Sequence, residues 1–249
     1  MNKVLGLGLP CVLAGRVALH DSTGGGRRAI TKYENGETAS RGYVITNPVS
    51  NAPIKVGEWV YFFEDGKKAK QGSYLEDRMH GAWTEWHQNG QKWAERTFKC
   101  GKKHGVVAYW YDNGQESSKG AYKNGKQEGV HTDWHENGQK WIEGTYKNGE
   151  REGVWTEWHD NGQKGGEGTY RDGKPGGVWT YWHDNGQKSQ EGTFKDFKKE
   201  GVWTLWHDNG QKREEGTFKN DKKEGIWNYW DKQANVTKTE TYKNDRLVK

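Results

Sequence analysis

Aromatic and polar positions repeat along this chain with a period of 24 residues, from about residue 57 to residue 243. Each period begins with a glycine, and Trp or Phe follows five residues later and Tyr or Phe seventeen residues later. The glycines are Gly57, Gly81, Gly105, Gly129, Gly153, Gly177, Gly201 and Gly225. Self-similarity at a fixed period indicates a repeat architecture and outranks any local motif. Eight copies of one unit favour an extended surface over a unique catalytic centre.

The unit that begins at Gly153 shows how one repeat folds. Residues 154–159 are rich in β-branched and aromatic side chains, which is typical of a strand. The pair Asn161-Gly162 follows, and it predicts a two-residue type I′ turn with positive φ at both positions. The same argument predicts positive φ at most of the equivalent glycines, which are Gly90, Gly114, Gly138, Gly162, Gly186 and Gly210.

A second strand is predicted from about Lys164 to Tyr170, before a turn at Asp172-Gly173. Turn residues every 11–12 positions are too frequent for a stable helix. The sequence therefore predicts an all-β fold, an elongated repeat array of antiparallel β-hairpins in a single twisted sheet. From Gly57 onward we expect roughly sixteen strands and a length of about 75–80 Å, from the strand spacing.

Pairing across the Asn161-Gly162 turn places Trp155 opposite Gly168 and Thr156 opposite Glu167. Trp155, Tyr170 and His159 then share one face, and a ring over the glycine covers its backbone. Val154, Thr156, Trp158 and Glu167 share the other face. A bulge would move one Trp column to the opposite face.

Three segments are predicted. Residues 1–28 are a leader or disordered segment, in which a short apolar run after Met-Asn-Lys allows a weak export signal. Residues 29–56 form a degenerate first repeat with a longer connection. Residues 57–249 are eight repeats, and the last is an atypical cap in which Gln233-Ala234 replaces Asn-Gly. The location of the protein, cytoplasmic or exported, stays open.

Composition changes this picture in one respect. Hydrophobic residues make up only 31% of the chain, but it contains fifteen tryptophans, so stacked aromatic rings replace a thick aliphatic core. The net charge of +5 is a small difference between 39 basic and 34 acidic residues that are interleaved, which indicates a solvated surface. The two cysteines provide neither a disulfide framework nor metal-ligand spacing.

Recurrent polar columns offer candidate chemistry. Histidine recurs at His87, His135, His159, His183 and His207. Glutamate recurs at Glu95, Glu143, Glu167, Glu191 and Glu215. Equivalent residues of neighbouring repeats lie about 9–10 Å apart, too far to share a zinc ion at about 2.0–2.1 Å. A glycosidase pair of carboxylates also needs a cleft, which nothing here implies. We therefore assign no catalytic, metal or cofactor residue.

Lysines form two further columns, one of which includes Lys140, Lys164, Lys188 and Lys212. Rows of positive charge beside aromatic rings are able to bind anionic lipid or single-stranded nucleic acid. An acidic residue lies near almost every lysine, which weakens the local field. Anionic lipid is therefore a weak candidate partner, and nucleic acid an unlikely one.

The segment Trp-Thr-Glu-Trp-His-Asp-Asn-Gly-Gln-Lys and the following Glu-Gly-Thr-Tyr resemble the MORN-repeat variant. That variant occurs in bacterial proteins often labelled YwqK-family antitoxins. The resemblance covers about residues 57–243 in eight copies. It implies stacked β-hairpins and an interaction module, and related arrays are linked to membrane association, scaffolding and dimerisation.

The leading functional prediction is a non-enzymatic protein that presents an aromatic and charged surface to an unknown protein partner. If the protein is an antitoxin, that partner is a toxin. A YwqK-like antitoxin or immunity protein and a peripheral membrane or envelope-associated scaffold are the alternatives. The predicted interaction surface comprises Trp155, Trp179, Trp203, Tyr170, His159, His183 and His207.

Overall fold

A computed structural model describes residues 26–248, so most of the predicted leader lies outside the described residues. The described residues form nineteen strands and no helix. The strands are β1 (Arg27–Lys32), β2 (Thr38–Thr46), β3 (Pro53–Phe62), β4 (Lys68–Leu75), β5 (Arg78–Trp86), β6 (Lys92–Lys99), β7 (Lys102–Trp110), β8 (Glu116–Lys123), β9 (Lys126–Trp134), β10 (Lys140–Lys147), β11 (Glu150–Trp158), β12 (Lys164–Arg171), β13 (Lys174–Trp182), β14 (Lys188–Lys195), β15 (Lys198–Trp206), β16 (Lys212–Lys219), β17 (Lys222–Trp230), β18 (Val236–Lys243) and β19 (Arg246–Leu247).

The chain divides into two compact units. The first comprises residues 26–90 with 97–102, and the second comprises residues 91–96 with 103–248. In the first unit, β1 to β5 pair in sequence order, and every pair is antiparallel. In the second unit, β7 to β19 continue the same way, from the β7–β8 hairpin to the β18–β19 hairpin. The all-β, antiparallel prediction with its 24-residue period is confirmed within each unit.

The first turn of each repeat differs from the prediction. The amide of Gly162 donates to the carbonyl of His159 at 2.9 Å, and only Gly162 of the Asn161-Gly162 pair has positive φ, +82°. This is a three-residue loop, a type I turn followed by a left-handed glycine. The predicted type I′ turn is therefore wrong here, because Asn161 uses its side chain to accept the amide of Gln163.

Type I′ turns occur instead at the second turn of the repeat. Asp172 and Gly173 have φ of +48° and +74°, and Arg171 pairs directly with Lys174. In some repeats an aspartate replaces the glycine, and it adds a contact. The Asp221 carboxylate accepts the amide of Lys199 at 2.7 Å, in the preceding repeat.

The predicted register across the first turn is confirmed, since Trp155 pairs with Gly168 and Thr156 with Glu167. The longer loop does not change this register, because β12 has one extra residue near its start. The register shift lies between Glu157 and Trp158. A compensating bulge beside the turn thus leaves the pairing that the sequence predicts.

A second bulge explains the glycine that begins each repeat. Thr156 pairs with Glu143 and Glu152 with Thr145, so residues 153–155 of β11 face the single residue Gly144 of β10. Gly153 absorbs this mismatch with a φ of +72°. The 24-residue glycine is therefore a bulge glycine within a strand.

The bulge also decides where each tryptophan ring lies. A Cβ added to Gly144 would lie 2.2 Å from the Trp155 ring, so this ring covers Gly144 of the preceding repeat. Gly168, the direct partner of Trp155, is covered by Trp179 in the same way. The expectation that Trp155 covers the glycine paired with it is wrong. Residues 153–155 of β11 face the single residue Gly144 of β10, and this bulge brings the Trp155 ring toward β10.

Candidate functional site

The two sides of the repeat array have different chemistry. The tryptophan face of the second unit carries Trp155, Trp179, Trp203 and Trp227, with a Tyr or Phe ring between successive members. In the first unit, Trp59 and Trp83 occupy the equivalent position of the repeat, with Tyr74 between them. These six tryptophans are called the tryptophan column. The valine face carries the column Val106, Val130, Val154, Val178, Val202 and Ile226. Successive residues of a strand point to opposite sides, so Val154 and Trp155 separate as predicted.

The tryptophan face forms the core. Trp155, Trp179 and Trp203 are 1%, 4% and 0% exposed. Tyr170 lies between two of these rings, edge-on to Trp179 with the centroids 5.2 Å apart. Such edge-to-face contacts add about 0.5–1.5 kcal/mol beyond the buried area. The three predicted surface tryptophans therefore lie beneath the surface, and direct contact of their rings with a partner stays a prediction.

Cations cover most of the rings in the tryptophan column. The Arg151 guanidinium lies 4.1 Å from the centroid of the Trp155 ring, and the Lys199 ammonium lies 4.2 Å from that of Trp203. Lys223 lies 4.0 Å above Trp227. A desolvated cation over an indole contributes up to about 2 kcal/mol. Burial lowers the pKa of the Lys199 ammonium, which agrees with its position against the ring.

The predicted surface histidines connect neighbouring repeats. Nε2 of His159 lies 3.0 Å from the carbonyl oxygen of Trp182, and a carbonyl only accepts, so Nε2 is the donor. His183 and His207 contact the carbonyls of Trp206 and Trp230 in the same way. Their side chains thus have a structural partner in the next repeat, and a role in partner binding stays a prediction.

The turn glycines lie beside these histidines. Gly90, Gly114, Gly138, Gly162, Gly186 and Gly210 all have φ between +80° and +90°. Asn161 adds a second link to the next repeat, because its amide donates to the carbonyl of Asp184 at 2.7 Å. The His-Asp-Asn-Gly-Gln motif is thus a turn that also connects one repeat to the next.

The valine face is the exposed side, and the predicted surface did not include it. Val154, Val178 and Val202 are 59%, 59% and 60% exposed, and Ile226 is 61% exposed. Each lies opposite a small residue on the partner strand, as Val178 does opposite Thr193. The signal in the sequence was the β-branched residue directly after the 24-residue glycine.

A second aromatic column, which is half-buried, lies beside the valine column. Its members within the second unit include Trp158, Trp182, Trp206 and Trp230. Lys164 lies 5.8 Å from the centroid of Trp182 and 2.6 Å from Glu167. The hydrogen bond from this lysine outweighs the opposing effect of burial and lowers the pKa of Glu167. Lys–Glu pairs at 2.6 Å thus line the valine face with both signs of charge.

No catalytic arrangement emerges from these contacts. Among residues 26–248, no three His, Cys, Asp or Glu side chains lie together as a metal site would require. The same residues include no helix with the length and apolar character needed to cross a membrane. What the geometry offers is a repeated surface, apolar along its middle and charged along its border.

Comparison with known proteins identifies the repeat. The family model described as MORN repeat variant matches residues 55–76, 79–99, 127–148, 151–172, 175–196 and 199–220, about half of the chain. Each of these segments contains one hairpin, built around the first turn of the repeat described above.

No curated protein sequence matches this chain. A solved structure titled "Crystal Structure of TcdB2-TccC3-Cdc42" aligns with 87% of this chain at 8% identity, with a TM-score of 0.17. The chain spans 14% of that protein's chain, and so low a score gives no basis for comparing the two architectures. The family match rests on the repeats themselves, and this chain belongs to the MORN repeat variant family.

Proposed function

We propose that this protein binds a protein partner through the valine face. A MORN-repeat β-array suits protein or membrane interaction in general. The observation that supports a protein partner is the column of five valines and one isoleucine, each more than half exposed. An apolar patch with a polar rim is the usual composition of a protein interface.

The charged border favours a protein over a membrane. Lys140, Lys164, Lys188 and Lys212 each pair with a glutamate at 2.6 Å. Paired lysines attract an anionic lipid surface less than free lysines do, because the attraction depends on net charge near the surface. The apolar column therefore supplies the affinity, and the ion pairs set the orientation.

The test compares partner capture by the wild-type protein and by a Val154→Glu/Val178→Glu/Val202→Glu variant. We expect the variant to lose capture, because three charges would have to be desolvated in the interface. Lys147→Glu/Arg171→Glu/Lys195→Glu is the control, which places three glutamates at exposed strand ends outside the column and should keep capture. Equal capture by the wild-type protein and the valine variant, with both folded by circular dichroism, would refute the proposal.

The alternatives give different results. A membrane scaffold would bind vesicles of anionic lipid, and binding would fall steeply as salt rises. A YwqK-like antitoxin would neutralise a specific toxin in co-expression, and the captured partner would be that toxin. Capture by folded Trp179→Ala, Trp155→Ala and Trp203→Ala proteins tests the tryptophan surface that the sequence predicts. Unchanged capture by all three would restrict these tryptophans to packing.

A further inference from the structure

In several repeats a cation lies over the ring of the tryptophan column, and Lys223 shows which groups surround it. In the last complete repeat, the Lys223 ammonium lies 4.0 Å above Trp227 and 3.1 Å from the hydroxyl of Tyr229. The Glu214 carboxylate lies 3.4 Å from the same ammonium. An indole ring, a tyrosine hydroxyl and a carboxylate thus surround one primary ammonium.

Other repeats share parts of this arrangement. Lys55 donates to the hydroxyl of Tyr61 at 3.0 Å, and Lys103 donates to that of Tyr109 at 3.0 Å. Five of the six tryptophans in the column have a cation over the ring within 4.8 Å: Trp59, Trp83, Trp155, Trp203 and Trp227. Among the described residues, no Lys or Arg lies over the sixth, Trp179.

The exception has a cause in the sequence. Pro175 occupies the position at which Arg151, Lys199 and Lys223 occur in the other repeats. Tyr181, equivalent to Tyr229, is present and stacks on Trp179 with the ring centroids 5.9 Å apart. The repeat thus keeps the tyrosine and the tryptophan of the arrangement and lacks only the ammonium.

A carboxylate is present as well. Gly166 pairs with Glu157 on one side and with Tyr181 on the other. A Cβ added to Gly166 would lie 3.1 Å from the Tyr181 ring and 3.4 Å from Oε2 of Glu157, so both groups converge over this glycine. Gly166 replaces the larger residues that other repeats have here, such as Glu214.

Three polar groups in this repeat have no partner among the described residues. The buried indole N–H of Trp179 has no acceptor, whereas that of Trp203 donates to the carbonyl of Thr193. The Tyr181 hydroxyl and the Glu157 carboxylate, both half-buried, make no hydrogen bond or ion pair. The indole N–H is a donor, as an ammonium is, so a cation cannot pair with it. The Tyr181 hydroxyl and the Glu157 carboxylate are the two acceptors that a cation can use here.

From this cluster we propose that Tyr181, Glu157 and the edge of Trp179 bind a primary ammonium group supplied from outside the chain. The ammonium donates to the Tyr181 hydroxyl and to the Glu157 carboxylate, as Lys223 does to Tyr229 and Glu214. The Arg151 guanidinium of the preceding repeat does not compete, because it donates to the hydroxyl of Tyr170.

The protonation state of Tyr181 suits this role. Burial raises the pKa of Tyr181 to about 12, and the Glu157 charge adds to the rise. The hydroxyl therefore stays neutral at pH 7 and accepts a hydrogen bond. Trp179 is only 4% exposed, so the ligand meets mainly the hydroxyl and the carboxylate. The ligand is a lysine side chain of a protein partner or a free polyamine, which share this chemistry.

The test follows the indole N–H resonance of Trp179 in ¹⁵N-tryptophan-labelled protein, assigned by its loss in Trp179→Phe. Titration with an end-blocked lysine tripeptide and with spermidine is expected to give a saturable shift. Tighter binding of the tripeptide indicates a protein lysine, and tighter binding of spermidine a free polyamine. Tetramethylammonium, which has no N–H, is expected to bind at least about tenfold more weakly, a loss that corresponds to one hydrogen bond to a charged group.

Variants separate the site from general charge effects. Tyr181→Phe and Glu157→Gln are each expected to weaken binding at least about tenfold. Pro175→Lys should abolish it, because the chain then supplies its own ammonium as Lys223 does, and this variant removes no group of the site. Tyr229→Phe is the matched control and should bind as the wild type. No saturable shift in the wild-type protein, or undiminished binding by a folded Pro175→Lys protein, would overturn the proposal.

Discussion

Two regions of the second unit solve the same packing problem differently. Between Gly153 and Trp230, every repeat places a tryptophan in the column over a glycine of the preceding repeat, as Trp203 does over Gly192. Between Gly105 and Trp134, the column contains Val107 and His131 instead. Val107 is still 1% exposed, so the smaller side chains do not leave this region open.

The partner positions explain the difference. Where Val107 replaces the tryptophan, Arg96 replaces the glycine of the preceding repeat. Where His131 replaces it, the glycine remains as Gly120, and a Cβ there would lie 2.6 Å from Nδ1 of His131. The glycine is therefore required by the large ring above it and not by the backbone, since neither Gly120 nor Gly192 has positive φ.

The largest predicted effect tests this dependence directly. Gly192→Ala should destabilise the protein by about 3 kcal/mol or more, because the added Cβ would lie 2.1 Å from the Trp203 ring and the ring has no room to shift. Gly120→Ala should cost only about 1–2 kcal/mol, because a single imidazole atom has to move. The measurement is chemical denaturation of both variants, and equal losses would contradict the comparison.

A double substitution sharpens the same point. Trp203→Val alone should cost about 3–5 kcal/mol, from lost burial and the cavity it leaves. Adding Gly192→Ala should then cost almost nothing or restore stability, since the methyl group fills space that the ring occupied. The free energies of unfolding of the single and double variants give the coupling. If the two losses simply add, glycine and tryptophan are independent.

The strands, the two-turn repeat and the pairing of Trp155 with Gly168 could be predicted, because each depends on local sequence spacing. The overlap of Trp155 with Gly144 could not. It depends on a bulge between two repeats, and no pattern within one repeat specifies how many residues of β11 face β10. The type of the first turn could not be predicted either. An Asn-Gly pair is compatible with a type I′ turn and with a type I turn followed by a left-handed glycine, and the hydrogen bond to the Asn161 side chain favours the second.

The candidate surface was harder to predict for a related reason. A tryptophan column on either side of a sheet has the same period, so burial of Trp155 and half-exposure of Trp158 do not follow from spacing alone. The cations above Trp155, Trp203 and Trp227 come from residues four positions before the ring, as Lys199 does for Trp203. The sequence does not show this contact, because the cation and the tryptophan lie on one face only when the bulge between them is present.

The next effect should be equal in the two regions, because their turns are alike. Gly114 and Gly162 have φ of +86° and +82°. Gly114→Val and Gly162→Val should each cost about 1–2 kcal/mol or more, since a β-branched residue is strained in this conformation. Thermal melting checks both variants. A Gly162→Val protein that melts at the wild-type temperature would show that this turn tolerates a side chain.

The smallest effect belongs to the region between Gly105 and Trp134, which has no tryptophan in the column. His131 Nε2 lies 3.0 Å from the Asp133 carboxylate. Burial acts to raise the pKa of Asp133, but hydrogen bonds from His131 and Ser118 prevail and lower it. A depressed folded-state pKa gives stability that is present above the unfolded value of about 3.9 and lost as pH falls through the folded value.

Asp133→Asn should therefore reduce stability at pH 7 by about 1 kcal/mol. The difference from the wild-type protein should shrink as pH falls below about 3.9 and through the lower folded-state pKa of Asp133, where the carboxylate becomes protonated in both states. Denaturation curves at several pH values provide the measurement, with Asp160→Asn at an exposed turn as the control. A constant difference down to pH 2 would mean that the charge of Asp133 contributes nothing.

The links between repeats have a genetic consequence. Asn137, Asn161 and Asn185 each donate to a carbonyl 23 residues ahead, and His135, His159 and His183 do the same. Duplication or loss of one whole 24-residue segment would return each of these asparagine and histidine side chains to an equivalent backbone carbonyl. Recombination between repeats can thus change the number of copies in one step, and selection then acts on the reach of the surface without first having to repair the fold.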